Sequence, residues 1–239
     1  DEECARKLKE NGAFCIEISI YGSDKESYEE TTGRGEDFEK VLNAIKYLKN
    51  EGIIVYLKCI LTKITEKKMD EIQKIADDLG VILRWDPVLS PSEEGFDYPL
   101  KFRASEEGLR RLLTEDKFKV GSSPFERGEG ESLCTIGRVQ VTIDPFGNIH
   151  PCPQWKEILG NVRKDDIFEI WKNSEKLQEI IKMSDKVPEV LKKNTIAHNF
   201  CFHCMARSRL LFEDPLKPDP CELKIAEIKM NEAEKRAKK

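Results

Sequence analysis

The chain has 239 residues, enough for one large domain or a domain and a half with a sizeable core. Its 40 Lys and Arg residues against 45 Asp and Glu residues give a net charge of −5, and no basic run is interleaved with aromatic residues, which argues against broad binding to phosphate backbones. No apolar stretch approaches the ~20 residues of a membrane span, and no charged-then-apolar leader opens the chain. We therefore expect a cytoplasmic protein with neither nucleic acid nor a membrane as partner.

Strands and helices alternate in the first hundred residues. Three apolar runs predict buried strands: residues 13–20, 53–61 and 81–85. Apolar residues at three- and four-residue spacing lie between these runs and predict helices that end at Gly52 and Gly80. Short connections between strand and helix are typical of parallel βαβ units. The sequence therefore predicts a piece of an α/β sheet or barrel, which begins within a unit.

A loop with three prolines follows the third predicted strand, at residues 86–104. It leaves the carboxyl end of a strand, which is the edge where α/β proteins bind ligands. No Gly-x-Gly-x-x-Gly run and no phosphate-binding Gly-Lys-Ser/Thr loop follows any strand, so nucleotide binding by those routes has no support.

Five of the eight cysteines lie in predicted loops and turns of the C-terminal third. Cys134 and Cys152 flank a predicted β-hairpin, Cys201 and Cys204 form a Cys-x-x-Cys pair, and Cys221 stands alone. Cysteines without an export signal are metal ligands or thiols more often than disulfides. These five residues are therefore the candidate metal ligands.

Two cysteine pairs do not distinguish a zinc ion from an iron–sulfur cluster as the bound group, because four thiolates can bind either one. Buried thiols that bind nothing are the plain alternative, and the loop placement of these cysteines disfavours it. A redox-active dithiol at Cys201 and Cys204 is a further alternative. It is weakened because no thioredoxin-like strand precedes the pair.

The order of these cysteines resembles the C-terminal cluster domain of radical S-adenosylmethionine (SAM) enzymes, the SPASM domain, or its shorter one-cluster relative, the twitch domain. The resemblance rests on Cys134-x12-Gly147-x4-Cys152, on Cys201-x2-Cys204 and on Cys221. Residues 159–162 and 167–171 are also similar to that domain. Upstream, three segments resemble the fourth, fifth and sixth strand regions of the radical SAM partial barrel: residues 16–23, 35–39 and 84–87.

The resemblance implies an α/β fold, the C-terminal part of a radical SAM partial (β/α) barrel followed by a small α+β SPASM/twitch-like domain of a β-hairpin plus helices. We expect the barrel part at residues 1–118, a linker at 119–132, the iron–sulfur domain at 133–226 and a charged tail at 227–239.

Two departures from the family pattern limit what this chain can hold. The Cys-x3-Cys-x2-Cys that binds the SAM-cleaving cluster is absent from the sequence, as is the Gly-Gly-Glu stretch that binds SAM. The full SPASM pattern continues with two more cysteines after Cys-x2-Cys, whereas residues 205–220 contain none. Five cysteines cannot ligate two four-cysteine clusters.

By the resemblance, one auxiliary [4Fe–4S] cluster is bound by Cys134, Cys152, Cys201 and Cys204, with Cys221 close by or substituting. Structural zinc in the same four cysteines is the alternative. Ser19, on the strand that matches the family's fourth, would hydrogen-bond SAM, or would instead bond its own turn. Lys58 and Arg84 lie within strands, where a charge needs a partner or a cavity.

The resulting expectation is the C-terminal portion of a radical SAM enzyme that modifies a peptide or protein and receives electrons from a donor such as a ferredoxin or flavodoxin. SAM would bind only together with a further N-terminal part, so the 239 residues alone are expected to be inactive toward SAM. The alternative is a non-catalytic zinc or iron–sulfur scaffold or binding module.

Overall fold

The computed structural model describes residues 1–118 and 134–238, and the predicted linker 119–132 lies outside these residues. The described residues form two units. The first comprises residues 1–89 and 99–118, and the second comprises residues 90–98 and 134–238.

The first unit is built on a three-stranded parallel sheet. Its elements are α1 (Glu2–Glu10), β1 (Cys15–Ser19), α2 (Lys25–Thr32), α3 (Asp37–Asn50), β2 (Ile54–Ile60), α4 (Met69–Leu79), β3 (Ile82–Asp86) and α5 (Glu106–Thr114). The strands pair in the order β1-β2-β3, with Ser19 opposite Lys58 and Lys58 opposite Arg84. The predicted alternation of parallel strands and helices is confirmed.

One face of this sheet carries the core. Because side chains alternate along a strand, Leu57 and Leu83 point to the same face and are buried. They belong to one apolar cluster with Ile45 of α3 and Ile72 of α4. The helix α4 ends at Gly80, whose φ of 60° is the left-handed conformation that glycine adopts without strain. The opposite face of the sheet is more exposed and carries Lys58 and Arg84 together with Ile54 and Ile82.

The second unit combines a small antiparallel sheet with helices. Its elements are β4 (Thr142–Ile143), β5 (Asn148–His150), β6 (Gly160–Asn161), α6 (Ile167–Asn173), α7 (Glu175–Ser184), α8 (Val187–Asn194), α9 (Met205–Phe212) and α10 (Pro220–Ala237). The predicted hairpin is present as β4 and β5, with Thr142 opposite His150. Its first arm is only two residues long, because residues 137–139 form a turn.

The segment expected to be a charged tail is part of a helix. The helix α10 runs without a break across the expected boundary after residue 226. Ile225, Ala226 and Ile228 are buried in the second unit, which explains why the helix is ordered there. Among the described residues, no helix combines the length and apolar character needed to cross a bilayer.

Candidate metal centre

The hairpin that carries Cys152 is fixed by Asp144 at its turn. One carboxylate oxygen of Asp144 accepts hydrogen bonds from the backbone N–H groups of Phe146 (2.8 Å) and Asn148 (2.9 Å). The other accepts from the Asn148 side chain at 2.8 Å and lies 3.3 Å from His150 Nε2. Gly147, with φ of 87°, completes the turn. The carboxylate thus sets the register of β5, two residues before Cys152.

Three of the predicted ligands lie within electrostatic reach of one another. Burial raises the pKa of the Cys134 thiol, and the Cys204 sulfur raises it further. Burial also raises the pKa of the Cys152 thiol, with smaller contributions from Cys204 and Cys134. The chain therefore brings together thiols that are separated by up to seventy positions in sequence (134 to 204).

Cys201 joins the same apolar surroundings. Cys201 is fully buried in a cluster that includes Ile136, Trp155 and Met205, and the three thiols above pack against this cluster. The Cys201 sulfur lies 4.0 Å from the carbonyl oxygen of Glu222. Cys221 is half-buried in the first turn of α10, next to the capping residue Asp219.

Backbone amides point at two of these sulfurs. The backbone N–H groups of Gln154 and Trp155 lower the pKa of the Cys152 thiol, against the larger effect of burial. The Trp155 N–H donates to the Cys152 carbonyl oxygen at 3.1 Å. The N–H groups of Ile136 and Met205 likewise lower the pKa of the Cys134 thiol. Amide donors stabilise the thiolate, which is the form that binds metal.

A buried charge network lies behind the Cys-x-x-Cys pair. Arg207 of α9 is ion-paired with Glu222 of α10, and its Nε lies 3.5 Å from Asp219. Glu222 also accepts a hydrogen bond from the backbone N–H of Cys204 at 3.0 Å. Its second carboxylate oxygen lies 3.4 Å from Nδ1 of His203, which is equally buried.

Burial on its own lowers the pKa of the Arg207 guanidinium. The nearby Glu222, Cys204 and Asp219 outweigh burial and raise that pKa. Sequence analysis missed this network, because nothing in one sequence says which of many charged residues will be buried. The Asp219-Pro220 pair was an available signal for the start of α10, since Asp is a common N-cap and Pro a common first residue.

The donor set fits an iron–sulfur cluster in its chemistry: several thiols, apolar surroundings and amide donors directed at sulfur. Across residues 1–118 and 134–238, no three His, Cys, Asp or Glu side chains converge closely enough to bind a single metal ion in this arrangement.

The exposed face of the first unit's sheet carries a cross-strand charge cluster. Arg84 donates to Glu17 at 2.6 Å and its guanidinium lies 4.0 Å from the centre of the Tyr56 ring. Lys58 lies 4.0 Å from the same carboxylate. The two strand cations are therefore paired on an exposed surface. Ser19, exposed at the carboxyl end of β1, lies on this face beside Lys58.

Two family models match this chain. The Radical SAM superfamily model matches residues 1–79, and the model of the iron–sulfur cluster-binding domain SPASM matches residues 134–205. The second match contains four of the five predicted ligands and begins at Cys134.

The chain is 29% identical over 196 residues to the mycofactocin maturase MftC of Mycolicibacterium smegmatis, which covers 74% of this chain and 50% of that protein. It is 25% identical over 216 residues to the AdoMet-dependent heme synthase of Nitratidesulfovibrio vulgaris, which covers 74% and 56%. The chain thus spans about half the length of the curated relatives it matches.

Two solved structures have the same fold. Hexahistidine-tagged anSMEcpe with bound AdoMet has a TM-score of 0.71 at 20% identity, over 99% of this chain and 68% of that chain. Native anSMEcpe with bound AdoMet and the Cp18Cys peptide has a TM-score of 0.67 at 20% identity, over 99% and 72%.

The fold and the cysteine site thus define an α/β protein with an iron–sulfur cluster-binding domain on its C-terminal side. The chain belongs to the radical SAM superfamily, in the group that carries a SPASM domain. The predicted family and fold class are confirmed. Iron–sulfur clusters and SAM are the cofactors of this family.

Proposed function

We propose that this chain is part of a radical SAM enzyme that modifies a peptide or protein, and that its second unit holds one auxiliary [4Fe–4S] cluster. The proposed ligands are Cys134, Cys152, Cys201 and Cys204. The observation that carries this proposal is the gathering of these four thiols at one apolar cluster, with amide donors directed at two of them. Cys221 is the substitute for the fourth ligand.

A bound cluster would supply one-electron transfer at this position. The chain's own residues would control that transfer through their surroundings. Ile136, Trp155 and Met205 are each at most 3% exposed and limit the access of water to the sulfurs, of which that of Cys201 is fully buried. The amide donors favour the thiolate form, and the Arg207 guanidinium adds a fixed positive charge near Cys204. Low dielectric makes each of these interactions stronger than it is in water.

The first unit is proposed to contribute residues that bind SAM and the substrate. Ser19 lies at the carboxyl end of a parallel strand, the edge where α/β proteins bind ligands, and it is proposed to hydrogen-bond SAM. A peptide is the proposed substrate class, supported by the likeness to a peptide-bound structure of anSMEcpe. A ferredoxin or flavodoxin is the proposed electron donor.

The proposed domains are residues 1–118 and 133–226, with residues 119–132 as their linker. Two features depart from these bounds, since residues 90–98 group with the second unit and α10 continues to Ala237. The reducing cytoplasm suits a chain with eight cysteines present as thiols, so the cytoplasm is the proposed compartment.

The metal content of the 239-residue chain tests the proposal. After anaerobic reconstitution with iron and sulfide, we expect about four irons per chain and the broad visible absorption of a [4Fe–4S] cluster. One zinc per chain and no iron after the same treatment would instead establish the scaffold alternative.

Single substitutions test the ligand set. Cys134→Ala, Cys152→Ala, Cys201→Ala and Cys204→Ala are each expected to reduce iron uptake strongly. Cys4→Ala is the matched control, because Cys4 is exposed on α1 in the other unit. Normal uptake in Cys201→Ala together with loss in Cys221→Ala would make Cys221 the fourth ligand.

SAM cleavage provides a separate test. Since the 239 residues contain no Cys-x3-Cys-x2-Cys, we expect the reconstituted chain to produce no 5′-deoxyadenosine from SAM under reducing conditions. Turnover of SAM by the purified chain would contradict this expectation.

A further inference from the structure

The side-chain amide of Gln154 lies between the candidate ligand Cys204 and the loop that carries Ser90, and it contacts both. Its Oε1 lies 3.4 Å from the sulfur of Cys204, and its Nε2 donates to the hydroxyl of Ser90 at 3.2 Å. The backbone N–H of the same residue lowers the pKa of the Cys152 thiol. One glutamine therefore contacts the sulfur of Cys204 and acts on the thiol of Cys152, and all of these residues belong to the second unit.

The loop that carries Ser90 is held in place by its own contacts within this unit. Ser92 accepts a hydrogen bond from the Gly95 N–H at 3.0 Å, and its hydroxyl accepts one from the Phe96 N–H at 3.1 Å. Glu93 is ion-paired with Lys156 at 2.8 Å. A Cβ at Gly95 would lie 3.5 Å from the Leu210 carbonyl oxygen of α9, an ordinary van der Waals contact. Ser90 thus offers a fixed partner to Gln154.

The hydrogen bonds of Gln154 can be satisfied in two arrangements. In the first, the Cys204 S–H donates to Oε1. A sulfur bound to iron has no proton and can only accept. A half-turn of the side-chain amide exchanges its oxygen and nitrogen, after which Nε2 donates to the sulfur and Oε1 accepts from the Ser90 hydroxyl. Since a hydroxyl both donates and accepts, neither hydrogen bond is lost.

We propose that Gln154 donates a hydrogen bond to the cluster-bound sulfur of Cys204 and raises the reduction potential of the cluster, with Ser90 as its positioning residue. This inference rests on the proposed function, because it requires a cluster at these cysteines. Reduction by one electron makes the cluster and its sulfurs more negative without breaking a bond. A donor directed at a sulfur stabilises that reduced state more than the oxidised one.

The test is an anaerobic potentiometric titration of the reconstituted 239-residue chain, with dithionite as the one-electron reductant. Gln154→Met keeps the length of the side chain and removes the donor. We expect it to lower the midpoint potential by ~59 mV, which corresponds to a tenfold smaller equilibrium constant for one-electron reduction. Gln154→Glu, which cannot donate when ionised and adds a negative charge, is expected to shift it at least as far. Ser90→Ala is expected to shift it in the same direction and less.

Gln178→Met is the matched control. Gln178 lies in the same unit on α7, and among the described contacts its side chain has no hydrogen bond to a cysteine. The control is expected to keep the wild-type potential, and the iron content of every variant is measured in parallel.

The outcomes distinguish a failure of the proposed function from a failure of the proposed role of Gln154. A wild-type chain that takes up no iron overturns the proposed function and this inference with it. A loaded Gln154→Met chain with the wild-type potential overturns the inference and leaves the proposed function intact. If Gln154→Met fails to load iron, the loaded Ser90→Ala chain decides, and an unchanged potential there overturns the inference.

Discussion

The buried pair of Arg207 and Glu222 makes the stability of the second unit depend on one carboxylate. The substitution Glu222→Leu removes the charge and keeps most of the side-chain volume, so it tests the charge rather than a cavity. The Glu222 side chain is 1% exposed and the Arg207 side chain 7% exposed, so water cannot replace the lost partner. The backbone N–H of Cys204 loses its acceptor in the same change.

The expected loss in free energy of unfolding follows from these contacts. Removing one member of a buried ion pair costs ~3–5 kcal/mol. Asp219 remains 3.5 Å from Arg207 and compensates part of the charge, which places the expectation near the lower end, at about 3 kcal/mol. This range already includes the cost of leaving the Cys204 N–H without its acceptor, so no separate amount is added.

Urea unfolding of the metal-free, reduced chain measures this loss. The Trp85→Phe background removes the tryptophan of the first unit, so that fluorescence reports Trp155 and Trp171 of the second unit. Glu189→Leu is the matched control, because Glu189 pairs with Lys193 while both side chains are 72% exposed. That control is expected to leave the free energy of unfolding nearly unchanged. A loss for Glu222→Leu as small as for Glu189→Leu would refute the reasoning.

Three further predictions concern turns and helix ends. Partial desolvation raises the pKa of Asp144, but hydrogen bonds from Asn148, His150 and Phe146 lower it to about 2. Because the folded pKa lies below the unfolded value of ~3.9, this stabilisation is complete above about pH 4 and is lost as the pH falls through about 2. Asp144→Asn should therefore destabilise the second unit at pH 7 and lose that effect near pH 2, as measured by urea unfolding across this range; an equal effect at both pH values would contradict it. Gly147→Ala should lower the free energy of unfolding by about 1–2 kcal/mol, because alanine is strained in the left-handed conformation. In parallel thermal unfolding this loss should be larger than that of Gly12→Ala. Both glycines have positive φ, but only at Gly147 would the new Cβ meet a neighbour, Asn161 Oδ1 at 3.1 Å; equal losses would show that this contact gives way freely. Asp24→Ala removes the cap of α2, which accepts from the Ser27 N–H at 2.7 Å, and should cost ~1 kcal/mol in denaturant unfolding of the first unit; Asp24→Asn, which keeps a capping oxygen, should lose less.

The alternation of strands and helices in the first unit was predictable because apolar spacing within each short segment indicates its secondary structure. Apolar residues such as Ile72 and Ala76 recur at helical spacing, and glycine ends the helix in the left-handed conformation that the sequence predicts. The helix α2 gives no such signal, since only Ser27 and Tyr28 of its residues are buried. It begins with a capping box at Asp24, a feature that apolar periodicity cannot detect.

The candidate site was predictable in part for a different reason. The spacing of the cysteines predicts the candidate ligands, but their surroundings depend on contacts between distant residues. Arg207 and Glu222 are among 40 basic and 45 acidic residues, and only the docking of α10 on α9 distinguishes them. The same holds for Gln154 and Ser90, which are separated by 64 positions.

The position of Glu222 in the chain has a consequence for the order in which the protein matures. Cys201 and Cys204 leave the ribosome before the helix that neutralises Arg207 and accepts the Cys204 amide proton. Until α10 has docked, Arg207 and the Cys204 N–H lack the Glu222 carboxylate as a partner. Insertion of the proposed cluster into a fixed set of thiols therefore requires α10 to have been synthesised and docked.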